Sequence, residues 1–160
     1  MMKSPEELIR VFYTAFQQRD WSTMQSCYHP DARFSDPVFT DLNGKQVRAM
    51  WHMLTTAGSS LRIEFSRITT DTTRGTCHWE AWYTFSGSGR AVHNVIDARF
   101  TFADGLIVTH TDHFDLYRWC RQALGPAGLL LGWTSWMHNK IRKKAAGNLA
   151  RFVEKHPVYQ

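Results

Sequence analysis

Hydrophobic and polar residues alternate along the chain between residues 94 and 102. The even positions, which suit a buried face, hold Asn94, Ile96, Ala98, Phe100 and Phe102. Apart from Val95, the residues between them are polar or charged, and a period of two predicts a β-strand with one buried face. Turn-forming residues follow at 103–105, and an extended, β-branched segment begins at Leu106. The pattern therefore predicts a long β-hairpin.

The second strand of this hairpin places His110, Asp112 and Phe114 on one face, because alternate residues of a strand point the same way. Two ionisable side chains on an apolar face are costly to bury unless they are paired or used. We therefore expect the hairpin to form either the wall of a functional pocket or a polar rim.

Helical patterns occupy much of the chain before the hairpin. A first helix is predicted to begin at Ser4. Pro5 follows this residue directly and Glu7 lies three residues after it, which is a capping-box arrangement. Further helices are predicted over residues 21–28 and 45–57, with a short strand at 32–39 between them. Alternating strands follow from residue 61. This order predicts an α+β fold with helices packed on one face of a curved antiparallel sheet.

The end of the chain carries an apolar stripe at helical spacing. Its apolar residues recur at steps of three and four: Leu130, Trp133, Met137, Ile141, Ala145, Leu149 and Phe152. We expect a helix over 129–155, and thus a main domain at residues 1–120 and a helical extension at 121–160. The stripe, with Trp133 and Trp136, calls for burial on the same domain or on a dimer mate. Because basic residues flank it, an anionic membrane surface is the less favoured alternative.

Charge and composition limit the function classes. The 160 residues fit one globular domain, and their net charge of +5 arises in residues 118–160, which hold eight Lys or Arg against one Glu. Nucleic-acid binding is not expected. The basic residues are confined to the tail instead of being spread over a binding groove, and no known nucleic-acid-binding motif is present. Neither a signal peptide nor a membrane span is predicted, which favours a cytoplasmic location. Three widely spaced cysteines match no disulfide or metal pattern.

Several segments resemble one known family. They are residues 20–21 (Asp-Trp), 34–38 (Phe-Ser-Asp-Pro-Val), 79–85 with 89–90, and the hairpin from 100 to 115. Together they resemble the SnoaL-like and ketosteroid-isomerase-like branch of the nuclear transport factor two-like superfamily. The resemblance implies, over about residues 5–118, a cone-shaped curved antiparallel sheet wrapped around three N-terminal helices, and a homodimer formed through the outer face of the sheet. The superfamily includes isomerases, cyclases, epoxide hydrolases, dehydratases and non-catalytic binding modules, so the fold does not settle the function.

Site residues transfer from this resemblance only in part. Asp36 matches the general base of the isomerases, although a carboxylate before Pro37 is also a common turn cap. At the position of their oxyanion-hole tyrosine the chain has Phe12, which cannot donate a hydrogen bond. Their second oxyanion acid falls near Asp97 or Ala98, and the alternation puts Ala98 on the inward face. True ketosteroid isomerisation is therefore not expected.

The chain offers a different set of ionisable groups. Together, His110, Asp112 and Asp36 would place an imidazole and two carboxylates in an apolar cup, enough for acid/base chemistry on a hydroxyl, an epoxide or an α-proton. The alternative is that His110 and Asp112 satisfy each other and only fix the strand.

The predicted substrate is a small apolar molecule. Its predicted contacts are Phe12, Tyr13, Trp51, His52, Asn94, Phe100 and Phe114. No metal or cofactor is predicted, because a set of His52, His110 and Asp112 lacks any recognised metal-binding spacing. Two functions remain open: a cofactor-free acid/base enzyme of the isomerase, cyclase, hydrolase or dehydratase type, and a ligand-binding or assembly module without chemistry.

Overall fold

The structure is a computed structural model that describes residues 1–58 and 60–160. In these ranges the helices are α1 (Pro5–Gln17), α2 (Trp21–Ser26), α3 (Gly44–Thr56), α4 (Leu116–Leu124), α5 (Pro126–Leu131) and α6 (Ser135–Lys155), with a 3-10 turn at Pro157–Tyr159. The strands are β1 (Tyr28–Ser35), β2 (Arg62–Thr70), β3 (Arg74–Phe85), β4 (Arg90–Ala103) and β5 (Leu106–His113). The predicted α+β class is confirmed.

The strands form one curved sheet in the order β1-β5-β4-β3-β2. The hairpin predicted from the alternating pattern is the β4–β5 pair, in which Phe100 lies opposite His110. Only the pair of β1 with β5 is parallel, so the sheet is mixed and the expectation of a purely antiparallel sheet is wrong at this edge. A parallel pair needs a long connection, and here α3 and three strands separate β1 from β5 in the chain.

The first strand begins earlier than the sequence pattern predicted. Helix α2 ends at Ser26 and β1 starts at Tyr28, whereas a helix over 21–28 and a strand over 32–39 were expected. Pro30 is tolerated inside β1 because the strand lies at the sheet edge and its register shifts between Tyr28 and Arg33. As a result the side chain of Tyr28 is carried into the core.

Helices α1, α2 and α3 pack against the sheet and bury its inner face. The predicted capping box of α1 is present, since the Ser4 hydroxyl accepts from the amide of Glu7 and the Glu7 carboxylate accepts from the amide of Ser4. Aromatic residues from the helices and the strands meet in one cluster, among them Phe12, Trp51 and Phe100. The interior of the sheet's curve is therefore lined by large side chains.

The C-terminal extension packs on the same chain. Leu149 of α6 and Tyr159 belong to the main core cluster, and α6 contacts α3. The single helix expected over 129–155 is wrong at its start, because the chain leaves helical geometry after Leu131 and Thr134 caps the amide of Met137 at a new N-terminus. This break directs Trp133 outward instead of into the predicted stripe. Within the described ranges, each helix is too short or too polar to cross a bilayer.

Two glycines in the extension allow a matched test of this packing. A Cβ atom on Gly128 would lie 1.9 Å from the carbonyl oxygen of Cys120 in α4, whereas the nearest atom to a Cβ on Gly147 is 3.9 Å away. We expect Gly128→Ala to lower the free energy of unfolding by about 1–3 kcal/mol or more. Gly147→Ala should raise it by about 0.5–1 kcal/mol, because alanine is the better helix former. Urea unfolding of both variants measures the difference, and equal midpoints would contradict the close α4–α5 contact.

Candidate functional site

The second strand of the hairpin, β5, carries two inward-facing ionisable residues. His110 and Asp112 lie on β5 opposite Phe100 and Ala98 of β4, and both point inward as the strand parity predicted. Their side chains are almost completely removed from solvent, with exposures of 0% for His110 and 3% for Asp112. Burial of such groups is tolerated only when hydrogen bonds replace their lost hydration.

A continuous chain of hydrogen bonds supplies that replacement. Trp51 Nε1 donates to the Tyr28 hydroxyl at 2.9 Å, and that hydroxyl lies 2.7 Å from His110 Nδ1. His110 Nε2 lies 2.9 Å from Asp112 Oδ1, which also accepts from Trp79 Nε1 at 3.3 Å. We call these five residues the interior network. It joins α3, β1, β5 and β3 across the core.

The hydrogen-bond donors in the interior network determine the tautomer of the His110 imidazole. The oxygen of Tyr28 already accepts from Trp51, so its single proton is free to go to His110 Nδ1. The remaining ring nitrogen, Nε2, then carries a proton and donates to Asp112, the arrangement in which every donor has an acceptor. Both ring nitrogens of His110 are thus engaged with protein, and direct proton exchange with a substrate would break one of these bonds.

Asp36 lies in the turn after β1. Its Oδ1 accepts from the amides of Val38 at 2.7 Å and Phe39 at 2.6 Å, so the turn-capping interpretation is present in the structure. Burial nevertheless raises the pKa of Asp36 to about 7, and the charge of Asp112 adds to the rise, while the two amide bonds oppose it. A capping carboxylate that titrates near neutrality can also exchange protons at working pH.

Tyr13 supplies an unpaired donor in the same interior. Its side chain is fully buried on α1, and its hydroxyl has no hydrogen-bond partner among the described residues. Burial and then the charge of Asp112 raise the pKa of Tyr13 well above its usual value, so the phenol keeps its proton. A buried hydroxyl without a partner is rare in folded proteins, and it is suited to donating to an oxygen of a bound molecule.

Several other predicted contact residues surround the imidazole of His110. The ring centroids of Phe12, Trp51 and Phe100 lie 5.7, 6.2 and 4.3 Å from that of His110.

Asn94 is half-buried in β4 opposite Ala81, and Phe114 is half-buried where the main core meets the cluster under α4.

His52 is the exception among the predicted contacts. It stacks on Trp21 at 3.8 Å, and its Nδ1 lies 2.9 Å from the hydroxyl of Tyr159. His52 thus faces the C-terminal segment while Trp51 occupies the inward face of α3, and the substrate contact at His52 stays a prediction. Burial and the neighbouring His156 lower the pKa of His52.

Helices α4 and α6 each hold a group related to Asp36. Trp119 of α4 donates from Nε1 to the hydroxyl of Tyr83 at 2.7 Å, and Arg142 of α6 donates from Nε to the carbonyl of Pro37 at 2.9 Å. Burial raises the pKa of Tyr83, and the charge of Asp36 contributes to that rise. Helix α6 thus holds the turn that carries Asp36, and α4 holds the tyrosine whose pKa the charge of Asp36 raises.

Two pockets formed by described residues lie away from the apolar cup predicted for Asp36, His110 and Asp112. One of about 280 Å³ is bounded by residues 30–33 and 43–45 on the outside of β1, and one of about 80 Å³ lies beside Leu8 and Phe102. Neither is lined by the interior network or by Asp36. In residues 1–58 and 60–160, no group of three or more His, Cys, Asp or Glu side chains is placed to hold a metal ion.

Sequence reasoning missed two members of the interior network and Tyr83 as site residues. Trp79 and Tyr83 lie on a strand that the alternating pattern predicts. That pattern does not indicate which residue on another element their polar atoms will bond. Tyr28 was assigned to a helix end because His29 and Pro30 follow it. The available signal was the parity that Tyr28 shares with Ala32 and Phe34, both of which are buried in β1.

Comparison with known proteins identifies relatives of this fold. A family model described as a SnoaL-like domain matches residues 9–110. No curated protein gives a significant match.

Solved structures agree with the family match. An NTF2-like protein of unknown function from Burkholderia pseudomallei is 20% identical over 76% of this chain and 98% of its own, with a TM-score of 0.65. An epoxide hydrolase of the LEH-like type from M. tuberculosis is 19% identical over 82% and 92%, with a TM-score of 0.59. A putative polyketide cyclase from Xanthomonas campestris is 22% identical over 74% and 95%, with a TM-score of 0.60. At these identities the likeness shows the fold.

Removal of the Tyr28 hydroxyl tests the interior network. In Tyr28→Phe, Trp51 Nε1 and His110 Nδ1 both lose their partner in a buried site, and each orphaned group costs about 1–3 kcal/mol. We expect a loss of about 2–6 kcal/mol in the free energy of unfolding. The matched control is Tyr117→Phe, which removes an exposed hydroxyl bonded to Leu129 and should change stability by less than about 0.5 kcal/mol. Equal losses in the two variants would contradict the assigned bonds.

Proposed function

Because the chain belongs to the SnoaL-like family, we propose that it is a cofactor-free acid/base catalyst acting on a small apolar molecule, with Asp36 as the group that exchanges the proton. The observation that carries this proposal is the position of the Asp36 carboxyl, which the amides of Val38 and Phe39 hold in a defined turn and whose burial raises its pKa to about 7. A general base or acid works best when its pKa lies near the operating pH.

The other interior groups have separate roles in this proposal. Burial first, and then the charge of Asp112, raise the pKa of Asp36, which favours a proton on Asp36 near neutrality. His110 is a positioning residue, because its two ring nitrogens hold Asp112 and Tyr28. Tyr13 offers the free hydroxyl that can stabilise developing charge on a substrate oxygen.

The chemistry of these groups selects a reaction class. Proton transfer at a hydroxyl, an epoxide or an α-carbon needs a carboxyl that exchanges a proton and a donor for the oxygen. Ketosteroid isomerisation is not proposed, since Phe12 and Ala98 stand where the related isomerases have hydrogen-bond donors. The proposed range of reactions includes those for which two structural relatives are named, an epoxide hydrolase and a putative polyketide cyclase.

A ligand-binding module without chemistry is the second candidate. The observation that favours it is that His110 uses both ring nitrogens in bonds to the protein while aromatic side chains surround its ring. In that case Tyr13 would recognise an oxygen of the ligand, and Asp36 would serve its turn alone.

The variant Asp36→Asn distinguishes the two candidates. Asparagine keeps an oxygen that accepts from the amides of Val38 and Phe39, but it does not take up a proton at neutral pH. We expect turnover of epoxide or α-acidic ketone probes to fall by about 10²-fold or more, with binding of the probes retained. The matched control, Asp41→Asn, changes an exposed carboxylate paired with Arg33 and should leave turnover unchanged. Retained turnover in Asp36→Asn would rule out Asp36 as the catalyst.

The raised pKa of Asp36 also predicts a pH dependence of stability. Because the folded protein binds this proton more tightly than the unfolded chain, whose carboxyl has the ordinary pKa of 3.8, the stabilisation is complete below pH 3.8 and is lost as pH rises to about 7. Relative to the wild type, Asp36→Asn should therefore gain stability between pH 4 and pH 8. Carboxyl carbon NMR should show the wild-type titration midpoint at pH about 7. A midpoint near 3.8 would contradict the burial effect.

A further inference from the structure

The end of α5, the turn after it and the start of α6 expose five large apolar side chains. Their exposed fractions are 56% for Leu129, 70% for Leu130, 41% for Leu131, 67% for Trp133 and 60% for Trp136. We call these five residues the apolar patch. Scattered apolar residues are normal on a protein surface, but a cluster of this kind within eight consecutive positions marks an interaction site.

Positive charge accompanies the apolar patch. Between residues 118 and 144 the sequence has six Lys or Arg and no Asp or Glu. The ammonium group of Lys140 lies 5.1 Å from the ring centre of Trp136, and exposed Lys143 follows on the same side of α6, one helical turn further on. The opposite side of α6 is used by the fold, since Met137 and Leu149 are buried.

We propose that the apolar patch is a docking surface for an anionic lipid bilayer. Leucine and tryptophan side chains enter the boundary between headgroups and acyl chains, and tryptophan is favoured at that depth. Lys140 and Lys143 then face the anionic headgroups, whose attraction adds to the apolar contact. Docking of this kind is peripheral.

A second copy of the chain fits the same surface less well. In a two-fold symmetric dimer through the apolar patch, Lys140 and Lys143, in the segment 118–144, would approach the same two residues of the other protomer. Like charges at an interface oppose association, and this part of the sequence holds no acidic residue to offset them. An anionic bilayer provides the opposite charge over the whole face.

Vesicle binding by the full-length protein tests the proposal. The probes are vesicles of phosphatidylcholine alone and vesicles with about 30 mol % phosphatidylglycerol. We expect co-sedimentation with the anionic vesicles, a blue shift of tryptophan fluorescence, and a loss of binding as salt is raised. The neutral vesicles should bind at least about tenfold more weakly.

Paired variants separate the contributions of apolar and charged groups. Leu130→Ser with Trp133→Ser, and Lys140→Glu with Lys143→Glu, should each weaken binding to anionic vesicles by about tenfold or more. The controls are Val158→Ser, which alters an apolar side chain that is 77% exposed outside the patch, and Arg67→Glu, which alters an exposed charge on β2. Both controls should bind as the wild type does, and circular dichroism checks that all variants fold.

Two outcomes would overturn the proposal. The first is that the wild type does not bind anionic vesicles, or that the patch variants bind as well as the controls. The second is that the wild type is an oligomer which Leu130→Ser with Trp133→Ser converts to a monomer, with vesicle binding absent in both. That result would assign the apolar patch to contact between copies of the chain.

Discussion

The hydrogen bond between His110 and Asp112 is the contact on which the interior of this protein depends. A carboxylate that is 3% exposed and an imidazole that is 0% exposed would each be strongly unfavourable alone. Their stability in the core requires that every remaining polar atom also finds a partner. Tyr28 and Trp79 meet this requirement from two other strands, and Trp51 meets it from α3. The bonds around one buried pair thus tie α3 to three strands of the sheet.

Burial is the main cause of the raised pKa values around this pair, and the charge of Asp112 adds to it. A negative charge on Asp112 within the core acts on Asp36, on Tyr13 and on Tyr28, and in each case it raises the pKa together with burial. Tyr13 and Tyr28 stay protonated as a result, while Asp36 reaches the range in which a proton can be exchanged. The proposed division of roles follows from this: a fixed charge, a group that titrates and a free hydroxyl.

The sequence predicted those parts of the fold that depend on local periodicity. The alternation from Asn94 to Phe102 correctly predicted the hairpin and the inward faces of His110 and Asp112. It could not predict that Tyr28 closes the network, because a register shift in an edge strand depends on a partner more than seventy residues away, Ile107. The break after Leu131 was also missed, since a stripe at helical spacing continues across a turn that is capped by Thr134.

Helix α6 connects the two proposed sites through opposite sides of one rigid element. Arg142 holds the carbonyl of Pro37 next to Asp36, while Trp136 and Lys140 lie exposed on the outer side. Both positions belong to one helix of 21 residues, so its orientation relative to the sheet fixes the apolar patch relative to the turn of Asp36. An apolar substrate partitions into lipid, and a protein that docks on a bilayer would find it at a much higher local concentration there than in water. The proposed docking surface and the proposed apolar substrate are therefore compatible, although each proposal rests on its own set of residues.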